Sequence, residues 1–252
     1  DSIEAIVLTR GIPLEVRIPT ENGPADVSTA SAIGLGDSTI AGDDPLLGRP
    51  PGFMSRCGDM PCLSAAFLNQ YRSGVFGPAW TSRVADTTWR PLLVTMLNGY
   101  TYDEAYRLVE SALEAEADGP RGQFVLMNAA DSARGLLDWQ LDLVANALRE
   151  RGVEALRPAF DGELSGIEIG GFVTGTVSLG RAIEGNFYQP GAVVDNLTSF
   201  GAVHRNFTSE ENVQTSVARW VKAGVAGVHG TTSEPLSNCF PDRNFLVDYV
   251  EG

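Results

Sequence analysis

Residues 224–230 read GVAGVHG, a run of small apolar residues of strand length that ends on His229, one of the chain's two histidines. Consecutive apolar residues without alternation mark a strand covered on both faces, the pattern of a parallel sheet held between helices. Such a strand delivers His229 to the carboxyl edge of the sheet, where α/β proteins gather their reacting groups. Two questions follow. Do other strands of the same kind join it, and does a second reactive side chain stand where the imidazole could use it?

Residues 3–9 (IEAIVLT), 91–97 (PLLVTML) and 123–128 (QFVLMN) are runs of the same kind. Between them Thr101 opens TYDEAYRLVESALEAEA with Glu104 three residues on, a capping box in which hydroxyl and carboxylate satisfy amides that the first turn leaves unpaired. Ala105, Leu108, Val109 and Leu113 then recur at helical spacing. Residues 132–151, containing LLDWQLDLVANALRER, repeat the pattern and stop at Gly152. Thr208 with Glu211 caps a third predicted helix, ending near Val221. The alternation predicts an α/β fold of three layers, a mostly parallel sheet flanked by helices, with residues 3–9, 92–96, 124–127 and 225–228 as neighbours in one sheet.

Two stretches break this pattern. Residues 20–62 are rich in Gly, Pro, Ser and Asp and read as a loop insertion, and residues 158–191 are Gly-rich with the short apolar pieces GIEIGGFVTG and the aromatic pair Phe187 and Tyr188. Neither an internal repeat nor a convincing linker is present, so residues 1–252 are expected to form a single α/β domain.

With 252 residues, 43% of them apolar, the chain can bury a full core. No stretch reaches the roughly 18–20 apolar residues of a membrane-spanning helix, and the start DSIEAIVLTRG has neither the basic opening nor the cleavage region of a signal peptide. A net charge of -14, from 18 basic and 32 acidic residues, argues against a nucleic-acid partner. The loop GDSTIAGDD, with Asp37 and Asp44 near its ends, offers oxygen ligands to calcium but not the EF-hand spacing. No metal and no cofactor is expected: phosphate-loop, nucleophile-elbow, H-E-x-x-H and haem-attachment motifs are missing, and GLGDST (34–39) lacks the strand and helix of a dinucleotide loop.

Three cysteines occur, Cys57, Cys62 and Cys239. In RCGDMPC, Gly58 and Pro61 favour a tight turn that could bring Cys57 and Cys62 within bridging distance. A local disulfide is the preferred reading, and it implies an oxidising compartment. The alternative is two unpaired thiols in a surface loop. Zinc would need four ligands, and no second half of such a pattern exists.

IEAIVLTRGIPLEVRI (3–18), PLLVTMLNGYTYDEAYRLVESALEAE (91–116), PGAVVDNLTSFGAV (190–203) and ARWVKAGVAGVHGTTSEP (218–235) resemble, in order and approximate spacing, an exosortase-associated family of exported bacterial proteins of unknown function. The tail carries the most specific part, where Trp220, Gly224, Gly227, Gly230, Glu234 and Pro235 fit a pattern of W, small-residue strand, G-T and E-P. The resemblance implies export to the periplasm or exterior, a remote caspase-like or gingipain-like layering, and a longer chain of which this sequence is a fragment or shortened form. The Cys57–Cys62 loop departs from it.

A gingipain-like peptidase places its histidine after one strand and its cysteine after the next, so that imidazole and thiol converge at the sheet edge. Cys239 follows His229 by only ten residues, too few for a crossover and another parallel strand. Alignment by order instead puts GGFVTG (170–175) and LTSFGA (197–202) at those two strands, with Thr174 and Ser199 in place of the dyad. His204 could supply Ser199 with a base. His229 has a plain structural reading in which nearby carbonyls and hydroxyls satisfy both ring nitrogens, while Gly224, Ala226 and Gly227 let a helix approach the sheet. Asn196 and Asn206 fit the N-glycosylation pattern. Two expectations result: a catalytically silent exported module that binds a protein partner or joins an envelope assembly, and, as the alternative, a cysteine-peptidase-like hydrolase with His229, Cys239 and Glu234 at the sheet edge.

Overall fold

The computed structural model describes residues 5–9, 12–13, 15–18, 25–28, 54–57, 60–63, 82–84, 87–89, 93–207, 214–232 and 240–251. Two compact units divide the chain, Asp1–Leu97 and Asn98–Gly252. In the first unit, β1 (Ala5–Thr9) and β8 (Leu93–Leu97) form a two-stranded parallel sheet, with Ala5 opposite Leu93 and Thr9 opposite Leu97. Between them in sequence, the described residues form three antiparallel pairs: β2 (Glu15–Ile18) with β3 (Ala25–Ser28), β4 (Met54–Cys57) with β5 (Met60–Leu63), and β6 (Ser82–Val84) with β7 (Thr87–Trp89). The insertion expected at 20–62 thus contributes strands among its described residues, while the candidate calcium loop at 37–44 lies outside them.

The second unit is a five-stranded parallel sheet in the order β10 (Ala155–Leu156), β9 (Gln123–Leu126), β11 (Glu168–Thr174), β12 (Phe187–Asn196), β13 (Gly227–His229). Its helices are α1 (Tyr102–Asp118), α2 (Leu141–Glu150), α3 (Val217–Ala223) and α4 (Phe245–Glu251). Consecutive residues of the central strands face opposite cores. Phe124, Leu126 and Val173 pack with Leu141, Val144 and Leu148 of α2 and Leu246 of α4. Val125, Met127, Phe172 and Val194 pack with Leu179 and Ile183 of the β11–β12 connection and with Trp220 of α3. This is the three-layer α/β arrangement, and it explains why these strands are apolar at every position rather than at alternate ones.

The expected grouping of four strands in one sheet is corrected: residues 5–9 and 93–97 pair with each other, while β9 and β13 belong to the five-stranded sheet and are not adjacent in it. An apolar run carries no information about which strand it pairs with, and in β1 it does not mean cover on both faces either: Leu8 is buried, whereas Val7 is 51% exposed. The double glycine of β11 is needed by the sheet. A register shift between Ile169 and Gly171 interrupts both of its pairings, and a Cβ on Gly170 would lie 2.0 Å from the Arg121 carbonyl oxygen.

The helix starts are partly as expected. Thr101 Oγ1 accepts from the Glu104 amide at 3.2 Å, and Glu104 Oε2 accepts from the Thr101 amide at 3.1 Å, the capping box read from sequence. The helix expected over 132–151 is shorter, a 3-10 turn at Asp138–Gln140 leading into α2, because the Asp138 carboxylate is drawn back to the Ala129 amide. α3 starts later than expected, capped by Ser216, whose hydroxyl accepts from the Ala218 amide at 3.1 Å; Thr208 and Glu211 lie outside the described residues. It ends at Gly224, whose φ of 110° is the left-handed conformation that glycine adopts without strain. Among the described residues no helix is long and apolar enough to cross a membrane.

Candidate functional site

β9 stands between β10 and β11, so the chain leaves it in both directions and the switch point of the sheet lies at the carboxyl ends of β9 and β11. That point is laced by the protein's own hydrogen bonds. The Thr174 hydroxyl donates to the Asn128 carbonyl at 3.1 Å, the Ala130 amide to the Gly175 carbonyl at 2.8 Å, and Arg157 to Asn128 Oδ1 at 2.8 Å. Reactive groups collect two strands away instead.

Asp195, near the end of β12, pairs in register with His229, the last residue of β13. The parallel register carries both side chains to the same edge, and His229 Nδ1 lies 2.8 Å from Asp195 Oδ1. The Asp195 side chain is wholly buried and that of His229 is 36% exposed. The second carboxylate oxygen, Oδ2, is bound by Arg243 Nη1, which comes from the segment preceding α4 and is 3% exposed. Arg243 is itself held: its amide donates to Gln140 Oε1 at 2.8 Å, and Nη2 reaches the Thr174 carbonyl at 3.5 Å. The edge of Phe240 packs on the imidazole, with ring centroids 5.3 Å apart.

Burial works to raise the Asp195 pKa, but the Arg243 guanidinium and the His229 hydrogen bond outweigh it and hold the carboxyl below its ordinary value. Asp195 is therefore ionised at neutral pH. An ionised carboxylate only accepts hydrogen bonds, so His229 Nδ1 is the donor, and the neutral ring keeps its lone pair on Nε2. Among the described residues Nε2 has no hydrogen-bond partner. The arrangement leaves a lone pair at Nε2 that can accept a hydrogen bond or a proton.

These contacts replace the expected ones. A buried carboxylate, rather than carbonyls and hydroxyls, holds the ring, and it holds one nitrogen, not two. The glycines of GVAGVHG act differently as well. A Cβ on Gly227 would meet Val193 at an ordinary 3.5 Å and one on Gly224 would have nothing closer than 4.0 Å, whereas one on Gly230 would lie 2.4 Å from Val217 Cγ1. The close approach is at Gly230, beside the start of α3.

Of the other candidates, Cys239 and Glu234 lie outside the described residues. Thr174 does end β11, but LTSFGA lies beyond the end of β12, so Ser199 is a loop residue whose carbonyl accepts from the Thr231 hydroxyl at 2.6 Å. His204 Nε2 lies 2.9 Å from Asn98 Nδ2, an amide that can only donate. The asparagines of both glycosylation sequons are buried, and each amide nitrogen donates to a carbonyl, Asn196 to Thr176 and Asn206 to Phe200. In the first unit, Cys57 stands in register with Met60 and Cys62 with Ser55. Among the described residues no group of three or more His, Cys, Asp or Glu could hold a metal ion.

Sequence reading passed over Asp195 and Arg243. The signal was present: an acid inside the apolar run AVVDN of a doubly covered strand requires a partner, because an isolated buried carboxylate is too costly. Comparison with family models, with curated proteins and with solved structures finds no match to this chain.

Proposed function

We propose that the carboxyl edge of the five-stranded sheet is the acid–base site of a hydrolase. His229 Nε2 takes the proton of an attacking group and returns it to the leaving group, and Asp195 orients the ring and stabilises its charged form. One observation carries this reading: a wholly buried carboxylate occupies Nδ1 while Nε2, on a partly exposed ring, has no partner among the described residues. A ring retained for packing alone has no need of an ionised acid. The attacking group is the thiol of Cys239 or a water.

Hydrolysis of activated esters and of peptide amides by the wild type and by His229→Ala, Asp195→Asn and Cys239→Ala tests it. His229→Ala is expected to lower the rate by about 10²–10⁴-fold. An equal loss in Cys239→Ala assigns the thiol as nucleophile, and an unchanged rate assigns water. Equal rates in the wild type and a folded His229→Ala chain defeat the proposal.

A second reading, a catalytically silent exported module that binds a protein partner in the cell envelope, is supported by α1. Its inner face buries Glu104 and Leu108 and packs closely at Ala115, where a Cβ on Gly191 would lie only 2.4 Å from Ala115 Cβ. Its outer face exposes Tyr102, Tyr106, Val109 and Leu113, a stripe at helical spacing, and Asp103, Glu110 and Glu114, with Arg107 among them, run along one edge of it. That chemistry suits an apolar segment carrying a row of Lys or Arg. A leucine–lysine amphipathic peptide should bind the wild type more tightly than a Tyr106→Ser, Leu113→Ser chain, whose charge is unchanged, and equal affinities would exclude the stripe. Fractionation of the native host, with the protein recovered from periplasm or medium, tests export.

A further inference from the structure

We infer that Arg243 is a positioning residue for the acid–histidine pair, acting through Asp195 to keep the His229 proton on Nδ1. This rests on the reading of His229 as a general base and adds how that base is kept in its working form. The two oxygens of Asp195 are divided, Oδ1 to His229 Nδ1 and Oδ2 to Arg243 Nη1. A carboxylate with no exposure to solvent has two escapes from its desolvation cost: it can bind a proton, or it can be matched by a fixed cation. Arg243 supplies the second. The residue is held at both ends, its backbone amide donating to Gln140 Oε1 and Nη2 to the Thr174 carbonyl.

The consequence falls on the imidazole. Facing an ionised Asp195, Nδ1 must donate, and the lone pair is left on Nε2. Facing a protonated Asp195, Nδ1 can instead accept a hydrogen bond from the carboxyl O–H, and the neutral ring then carries its hydrogen on Nε2, which removes the base from the accessible side. Arg243 therefore decides which nitrogen is basic without touching the ring. Gln140 Nε2 donates to Asp242 Oδ2 at 3.3 Å, so the same glutamine fixes the segment on both sides of the arginine's amide.

The ring nitrogens can be read directly, by long-range proton–nitrogen correlation spectra of ¹⁵N-labelled protein at a pH where the ring is neutral, with His204→Gln used to assign His229. The wild type is expected to show Nδ1–H, with Nε2 at the downfield position of an unprotonated ring nitrogen. Arg243→Lys, which keeps the charge, should retain that pattern, and Arg243→Met should populate Nε2–H. The inference is overturned if the wild type carries Nε2–H, or if a folded Arg243→Met chain keeps the wild-type pattern. Should Arg243→Met not fold, Arg243→Lys decides: complete conversion to Nε2–H with the cation still present overturns it, and retained Nδ1–H supports it. Because the spectra report the ring rather than turnover, they separate this role from hydrolysis. A tautomer that follows Arg243 in a protein with no hydrolytic rate removes the general-base reading alone, and a rate lost in His229→Ala with a tautomer indifferent to Arg243 removes the positioning role alone.

Discussion

Arg243 and Asp195 face each other with almost no access to solvent, their side chains 3% and 0% exposed, and the ion pair ties the segment before α4 to the end of β12. Their attraction offsets the cost of taking two charges out of water, so removal of either partner leaves the other uncompensated. Arg243→Met is expected to cost about 3–5 kcal/mol of folding stability, read as a lower denaturant midpoint with an unchanged slope. A loss below about 1 kcal/mol would place the pair among those that surface exposure weakens, contrary to its burial.

The same pair sets a dependence on acid. The folded-state pKa of Asp195 is depressed below the ordinary 3.8. Its contribution to stability is therefore complete above the unfolded value, near 4, and is lost as pH falls from there through the lower folded value. Stability measured from about pH 6 down to about pH 2 should fall less steeply over its acid end in Asp195→Asn than in the wild type. Parallel curves would mean that Asp195 does not contribute to the acid limb.

Tyr188 predicts a change of the opposite sign. Its ring meets Trp220 edge-on at 6.0 Å, yet its hydroxyl is buried without a hydrogen-bond partner among the described residues, and burial pushes the phenol's pKa up. An unmatched buried hydroxyl costs about 1–3 kcal/mol. Tyr188→Phe removes it and keeps the ring, so thermal unfolding should move upward, by an amount equivalent to about 1 kcal/mol. A lower melting temperature would reveal a bond to the hydroxyl.

The cysteines of the first unit give a chemical test. In the β4–β5 hairpin Cys57 pairs with Met60 and Cys62 with Ser55, so the two positions stand diagonally across the ladder. Diagonal positions stand roughly 7–8 Å apart, so a bond requires the hairpin to close by a few ångströms toward the ~3.8 Å between Cβ atoms in a disulfide. We expect both thiols to resist alkylation in protein isolated without reductant from an oxidising compartment, and reduction to cost about 2 kcal/mol. Modification of both in the native protein would mean that the register spacing wins.

What could be read from the sequence depended on how local the physics was. QFVLMN announced β9, because burial on both faces writes itself into consecutive residues, whereas GGFVTG of β11 lies in a Gly-rich stretch outside the strand–helix pattern and reads as a strand only through alignment by order. Thr101 and Glu104 announced α1, since a capping box is complete within four residues. β12 was harder: it begins Phe-Tyr-Gln-Pro and ends Val-Asp-Asn, so its apolar centre is short, and the strand was sought at 197–202, past its true end. The candidate site was half legible. His229 stood out as a histidine closing an apolar strand, but its carboxylate comes from the neighbouring strand and the guanidinium from beyond both, and no spacing within one segment encodes a meeting of three.

Arg243 lies 48 residues after Asp195 in the chain, and a ribosome delivers them in that order. While the arginine is still inside the exit tunnel, a nascent β12 would have to bury a negative charge with nothing to meet it. Strands β9 to β11 bury no such charge, although Leu246 of α4 completes one of the cores packed on them. The edge bearing Asp195 and His229 has to stay open to water until the segment before α4 arrives, so the surroundings of that pair are completed by the docking of a late segment.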